Sequence, residues 1–149
     1  MPPTDWNQLR ELACQRRDTS GQRLAEAATL RDAAHQKLEM LLDYQRDYDG
    51  RLAQSATDGI DAEKLRSYRT FLANLERAIE QQTEALALTQ ERVTQAQAHW
   101  RNEQRQVDSF RVLDERQQAA VTRSANRIEQ KLTDELAMRG LAAAGGSAD

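Results

Sequence analysis

From Ile60 to Arg139 the chain contains no Gly and no Pro, and apolar residues recur through it with a seven-residue rhythm. Steps of alternately three and four residues from Leu65 land on Tyr68, Leu72, Leu75, Ile79, Gln82, Leu86, Thr89, Val93, Ala96 and Trp100. They continue through Glu103, Val107, Phe110, Asp114, Gln117, Val121, Ser124 and Ile128. In heptads lettered a to g, Leu65 takes a and Tyr68 takes d, and Asp114 is the one polar residue at an a position. A 3.5-residue repeat keeps one stripe against a partner only if the helices supercoil left-handedly, so the pattern predicts a coiled coil. At ~1.5 Å per residue such a helix runs for ~120 Å.

A second pattern precedes it. Pro2 and Pro3 hold the first residues extended, and Asp5 can cap a helix, with Gln8 completing a capping box. Leu9 and Leu12 open the apolar stripe of helix one; the weakly apolar stretch from Arg16 to Gly21 then predicts a slip in phase and a soft bend. From Leu24 the heptad runs through Ala27, Arg31, Ala34, Leu38, Leu41, Gln45, Tyr48 and Leu52. Ser55 to Gly59 supply turn chemistry, and Asp61 caps the next helix, with Ile60 and Leu65 placed as a hydrophobic staple.

Leu136, Gly140 and Leu141 fit a Schellman stop, followed by a small, Gly-rich, polar tail. The expected fold is all-α: one antiparallel, left-handed coiled-coil hairpin over 1–149. Helix one spans about 5–54, the turn about 55–60, helix two about 61–139, and a disordered tail 140–149.

With a turn centred near residue 57, residue i of helix one faces roughly residue 114 minus i of helix two. Helix one then runs out opposite about Ser109, and the last 30 or so residues of helix two project by ~45 Å without a partner. Val121, Ile128, Leu132 and Leu136 continue an apolar stripe there. A stripe that cannot bury itself implies a binding partner.

Composition narrows the function classes. Hydrophobic residues make up 39% of the chain and aromatics 5%, too few large side chains for an ordinary globular core, while charged residues reach 30%, as in long exposed helices. A net charge of -3 argues against nucleic acid as the partner. Cys14 is the single cysteine, so no intrachain disulfide forms and a reducing cytoplasm is the expected compartment. No secretory leader pattern and no membrane-spanning run is present.

The chemistry of catalysis is missing. Two packed rods offer no water-excluding cleft, no glycine-rich loop precedes a helix, and no His, Cys or carboxylate pair has metal-site spacing. His35 and His99 are not brought together by the hairpin rule. The chain is expected to be no enzyme and to use no cofactor, metal or small-molecule substrate. Trp100, at an a position, fills the seam. Tyr48 and Tyr68 also lie on the seam, whereas Tyr44 and Phe71 lie beside it, near the turn, as a candidate partner-binding spot.

The run LEMLLDYQRDY from Leu38 to Tyr48, the turn Asp58-Gly59-Ile60 and the segment YRTFLANLERAIEQQ from Tyr68 to Gln82 resemble the FliJ family of the bacterial flagellar type III export apparatus. So do the HWR around Trp100, the DERQ after Leu113, and Asp134-Glu135. The similarity extends in order over almost the whole chain. It implies a two-helix antiparallel coiled coil like the central stalk of rotary ATPases. The end carrying both termini would enter the hexameric ring of the export ATPase FliI, and Val121, Ile128, Leu132 and Leu136 are the residues assigned to that contact. The closed part of the hairpin would meet the export-gate membrane protein FlhA, through Leu41, Tyr44, Tyr48, Phe71, Leu75 and Ala78. Recruitment of unloaded escort chaperones of late export substrates is implied as well. The chain departs from the family pattern at Lys37, where Gln is common, and at Gln82, where His is common, and neither is counted in the gate set.

The expected function is therefore a non-enzymatic stalk in flagellum biogenesis and protein export, regulating the ATPase. It would be cytoplasmic and peripherally associated with the inner membrane at the flagellar base. A general export chaperone that shields substrates, a stalk of a virulence-type secretion system, and a scaffold that dimerises through the overhang are the competing readings.

Overall fold

The computed structural model describes residues 5–146, which form two α-helices. Helix α1 (Trp6–Asp58, 53 residues) and helix α2 (Ala62–Gly145, 84 residues) pack against each other as an antiparallel hairpin. Among the described residues there is no strand, and the all-α class read from the heptads holds.

Both predicted N-caps form. Oδ1 of Asp5 accepts the amides of Asn7 at 3.1 Å and Gln8 at 3.2 Å, satisfying two of the donors that a helix start leaves unpaired. Oδ1 of Asp61 accepts the amide of Lys64 at 2.8 Å, and the Asp61 carbonyl accepts that of Leu65 at 3.1 Å. Pro2 and Pro3 lie outside the described residues.

Three boundaries differ from the expected ones. Helix α1 does not end near residue 54 but continues through Ser55, Ala56 and Thr57 to Asp58. Turn-forming residues are helical here: Thr57 turns its Oγ1 back onto the Ala53 carbonyl at 3.1 Å, and Gln54 Nε2 donates to Asp58 Oδ2 at 3.4 Å, an i,i+4 pair that supports the last turn. The reversal falls on Gly59, whose φ of 90° is the left-handed stop that a side chain resists. Gly59→Ala should therefore destabilise the hairpin by about 1–2 kcal/mol, read from denaturant midpoints by far-ultraviolet dichroism. An unchanged or raised midpoint would show that the stop does not need glycine.

The third difference is at the far end. Gly140 is not a Schellman stop: α2 passes through it to Gly145, and Gly146 N–H still bonds the Ala142 carbonyl at 3.1 Å. The expected disordered tail from 140 is thus helical to Gly145, and 147–149 lie outside the described residues. A mid-helix glycine costs only about 1 kcal/mol, and the following alanines favour helix. Leu136 and Leu141 are both exposed, so no apolar contact rewards the stop.

Contacts group the chain into two compact units, Met1–Gln15 with Gln104–Asp149, and Arg16–Glu103. In each, the a and d positions form the seam. In the first, Ala13 and Val107 are buried, and the Trp6 and Phe110 rings stack at 6.2 Å between centroids. In the second, Leu75 and Ser20 are buried, and Gln82 Nε2 crosses the seam to donate to the Ala34 carbonyl at 2.9 Å. The small Ala34 side chain lets that amide reach backbone, which satisfies a polar seam residue and ties the register. Most other seam residues are half-buried, since one neighbouring helix covers a side chain from one direction only.

The seam also keeps its phase where a slip was expected. Leu9 and Leu12 are exposed, and the non-exposed residues up to Ser20 are Trp6, Arg10, Ala13, Arg17 and Ser20, the same heptad extended backwards from Leu24, with Cys14 beside Ala13. Gly21 has a packing role rather than a softening one. A Cβ there would lie 3.4 Å from Nε1 of Trp100, at the near edge of ordinary van der Waals contact, so the indole packs directly over the glycine. Trp100 thus fills the seam by meeting glycine.

Candidate functional site

The register decides which side chains meet near the turn. The 114 rule places position 66 opposite Tyr48 and position 80 opposite Ala34; the observed partners are Tyr68 and Phe71 for Tyr48, and Gln82 for Ala34. Partners lie two to five residues further along α2, because α1 runs on to Asp58 and the reversal falls later than residue 57.

Near the turn, the Tyr48 ring is the hub. Its centroid lies 4.3 Å from that of Phe71 and 6.5 Å from that of Tyr68, and the Arg51 guanidinium sits 5.2 Å above it. Tyr48, Tyr68 and Phe71 share a shallow open depression with Ser55, Lys64 and Ser67. Of the residues predicted for the gate contact, Tyr44 and Phe71 are the most accessible, 49% and 40% exposed. Leu41, Tyr48 and Ala78 are half-buried. Leu75, 7% exposed, belongs to the seam and supports this surface from beneath. Phe71 is not a free-standing anchor beside the seam, since it packs on Tyr48.

The second surface lies in the other unit. Every residue from Gln118 to Gly146 is exposed, so the heptad seam ends at Gln117, about two turns beyond the Trp6–Phe110 stack. Val121, Ile128, Leu132 and Leu136 are all more than half exposed, and Met138 and Leu141 extend the apolar content. With Ala125 the spacing becomes 121, 125, 128, 132, 136, closer to the 3.6-residue period of a straight helix than to the 3.5 of the paired region. This stripe is accessible over its full length and has no covering element among the described residues.

Neither surface carries catalytic geometry. The two histidines are far apart in the hairpin: His35 Nδ1 lies 3.5 Å from Glu39 and His99 Nε2 lies 3.6 Å from Glu103, each one turn along its own helix. Among the described residues no three His, Cys, Asp or Glu side chains converge as metal ligands, and no helix is long and apolar enough to cross a membrane. Glu103, at a d position, has its Oε2 buried without a hydrogen bond, a desolvation cost borne within the seam.

Two features escaped the sequence reading. The Trp6–Phe110 stack was within reach, because the Leu24 heptad carried backwards puts Trp6 at d. The Gly21–Trp100 fit was not, because it depends on the pairing of distant residues.

Comparison with known proteins shows the family of the chain. The family model described as "Flagellar FliJ protein" matches residues 5–146. A curated flagellar FliJ protein of Salmonella typhi is 33% identical over 131 residues, covering 88% of this chain and 89% of its own. One of Escherichia coli (strain K12) is 31% identical over 131 residues, with the same coverage.

Proposed function

Since this chain belongs to the flagellar FliJ family and its role is a flagellar one, we propose that it is a non-enzymatic stalk that promotes assembly of the export ATPase ring and couples it to the membrane export gate. The observation that carries this reading is the uncovered apolar stripe of α2. A single exposed helix with Val121, Ile128, Leu132 and Leu136 on it gains by entering a protein cavity, where those side chains leave water. The ring of the hexameric ATPase FliI is the proposed cavity.

The gate protein FlhA is the proposed partner of the aromatic surface, with Tyr44 and Phe71 as anchors and Leu41, Tyr48, Leu75 and Ala78 contributing or supporting. Escort chaperones of late substrates are proposed to use the stalk as well. Its place is the cytoplasmic side of the inner membrane, held there by the gate protein.

Reconstitution tests the proposal: added to its cognate ATPase, the chain should raise ring assembly and turnover. No change in either would remove the stalk reading. The aromatic surface has its own test. Tyr44→Ala with Phe71→Ala should leave ATPase stimulation intact while weakening capture of the soluble part of the gate protein by ten-fold or more, since aromatic anchors can contribute about 2 kcal/mol each. The Phe71–Tyr48 contact adds a modest folding cost, to be checked by thermal melting. Unchanged gate binding would reassign the contact, and loss of substrate shielding instead would favour a chaperone.

A further inference from the structure

In the unit Arg16–Glu103, charge and apolar surface are sorted onto one side of the hairpin. The position just before a, on the edge of the seam, is Arg16, Arg23, Leu30, Lys37, Tyr44 and Arg51 along α1. Along α2 it is Lys64, Phe71, Ala78, Ala85, Arg92 and His99. The contacts put both rows on the same flank: Arg51 of α1 and Phe71 of α2 both lie against Tyr48, and Lys64 shares a depression with Tyr48 and Ser55.

This flank has six Arg or Lys residues and no carboxylate in its two rows, in a chain with 24 acidic residues against 21 basic ones. All six cations are exposed, and among the described residues only Arg51 has a carboxylate partner, Asp47 at 3.2 Å. The next row outward, just before d, has no charge along α2 at Ser67, Asn74, Gln81, Leu88 and Gln95, and along α1 it adds the acids Glu26 and Asp47. The exposed large hydrophobics of this unit are Leu30, Met40, Tyr44, Phe71 and Leu88, and every one falls in these four rows. Between Phe71 and Leu88 the edge of α2 is Ala78 and Ala85, both half-buried, which leaves a shallow trough along the hairpin.

We infer that this flank is a docking groove for an acidic amphipathic helix of a partner protein. Apolar side chains of that helix settle over the alanine trough between Phe71, Leu30 and Leu88, and its carboxylates meet the rows of Arg and Lys on both edges. A third helix is the occupant because the two rows run lengthwise along the hairpin with apolar side chains between their cations, which recur at multiples of seven residues within each row, 16, 23, 37 and 51 on α1 and 64 and 92 on α2, the repeat of a packed helix. The groove contains Tyr44, Phe71 and Ala78, so the inference deepens the gate contact proposed above by giving the partner's chemistry. It also extends the surface to Arg23 and Arg92, far from the turn.

The test uses the full chain and two labelled synthetic peptides of four heptads with identical leucine positions, one with glutamate and one with lysine flanking them, read by fluorescence anisotropy. The glutamate peptide should bind at least ten-fold tighter than the lysine peptide, and weaken as salt is raised. The triple variant Arg23→Glu, Lys37→Glu, Arg92→Glu changes only exposed side chains and should keep its helicity. It should lose the glutamate peptide by ten-fold or more and gain the lysine peptide. Equal binding of both peptides, or of neither, would overturn the groove. Binding to phosphatidylglycerol vesicles without binding to the glutamate peptide would overturn it in favour of a membrane surface. No gate protein is present in this assay, so its failure is distinct from failure of the Tyr44 and Phe71 assignment.

Discussion

Val121→Gln together with Ile128→Gln should leave the hairpin folded and abolish stimulation of ATPase ring assembly. The two side chains are 63% and 62% exposed, so the fold loses almost no buried apolar surface when they change. Glutamine is also a better helix former than valine or isoleucine, which keeps α2 continuous. In the proposed ring contact the same side chains leave water. Fully burying a valine or isoleucine contributes about 1.5–3 kcal/mol each, so losing both weakens the contact by about 3–6 kcal/mol, a hundred-fold or more. The measurement pairs far-ultraviolet melting of the variant with sedimentation and turnover of the cognate ATPase. An intact melt with full stimulation would move the ring contact away from this stripe. A dimer of the unmodified chain that the double variant lacks would instead mark the stripe as a self-association surface.

Leu75→Ala should cost the hairpin about 2–4 kcal/mol, the largest effect expected of a single seam substitution. Leu75 is a buried hydrophobic in a molecule that has few, flanked along the seam by the half-buried Leu72 and Ile79. Removing its branched end leaves a hole that two rigid helices cannot close by sliding, since the Gln82 bond to Ala34 two turns away holds the register. Leu72 and Leu86, half-buried, should cost less, and Leu132→Ala, in the uncovered stretch, should change stability by no more than a few tenths of a kcal/mol in either direction, since alanine is the better helix former. Denaturant midpoints across the four variants give the ranking. A loss at Leu75 no greater than that at Leu132 would mean that the seam near Leu75 is not paired within the chain.

Much of this architecture is a property of local sequence. The heptad that begins at Leu65, the caps at Asp5 and Asp61, and the glycine at the reversal each depend on residues within a turn or two of one another. For that reason helix type, helix number and antiparallel order were legible. So was the uncovered stripe, because counting residues on either side of the turn shows that α2 outruns α1. The candidate surfaces were legible as far as they follow from heptad letters: Tyr44 and Phe71 beside the seam, Val121 and Ile128 beyond its end.

The remainder depended on pairing between residues far apart in sequence. Turn chemistry alone did not distinguish a helix ending near 54 from one ending at Asp58, and that difference moved every partner along α2. Hydrophobicity pointed to Leu9 and Leu12 as seam residues, yet Ala13 and Ser20 are the buried ones, because the heptad phase is kept and small side chains suit a tight seam. Gly21 weakens α1 taken alone, and its contact with Trp100 exists only once α2 packs against α1. The row of cations was present in the sequence as scattered Arg and Lys. Only packing α1 antiparallel to α2 brought the two edges to one flank, since a helix by itself presents each edge to water, and charge becomes a surface only when the edges meet.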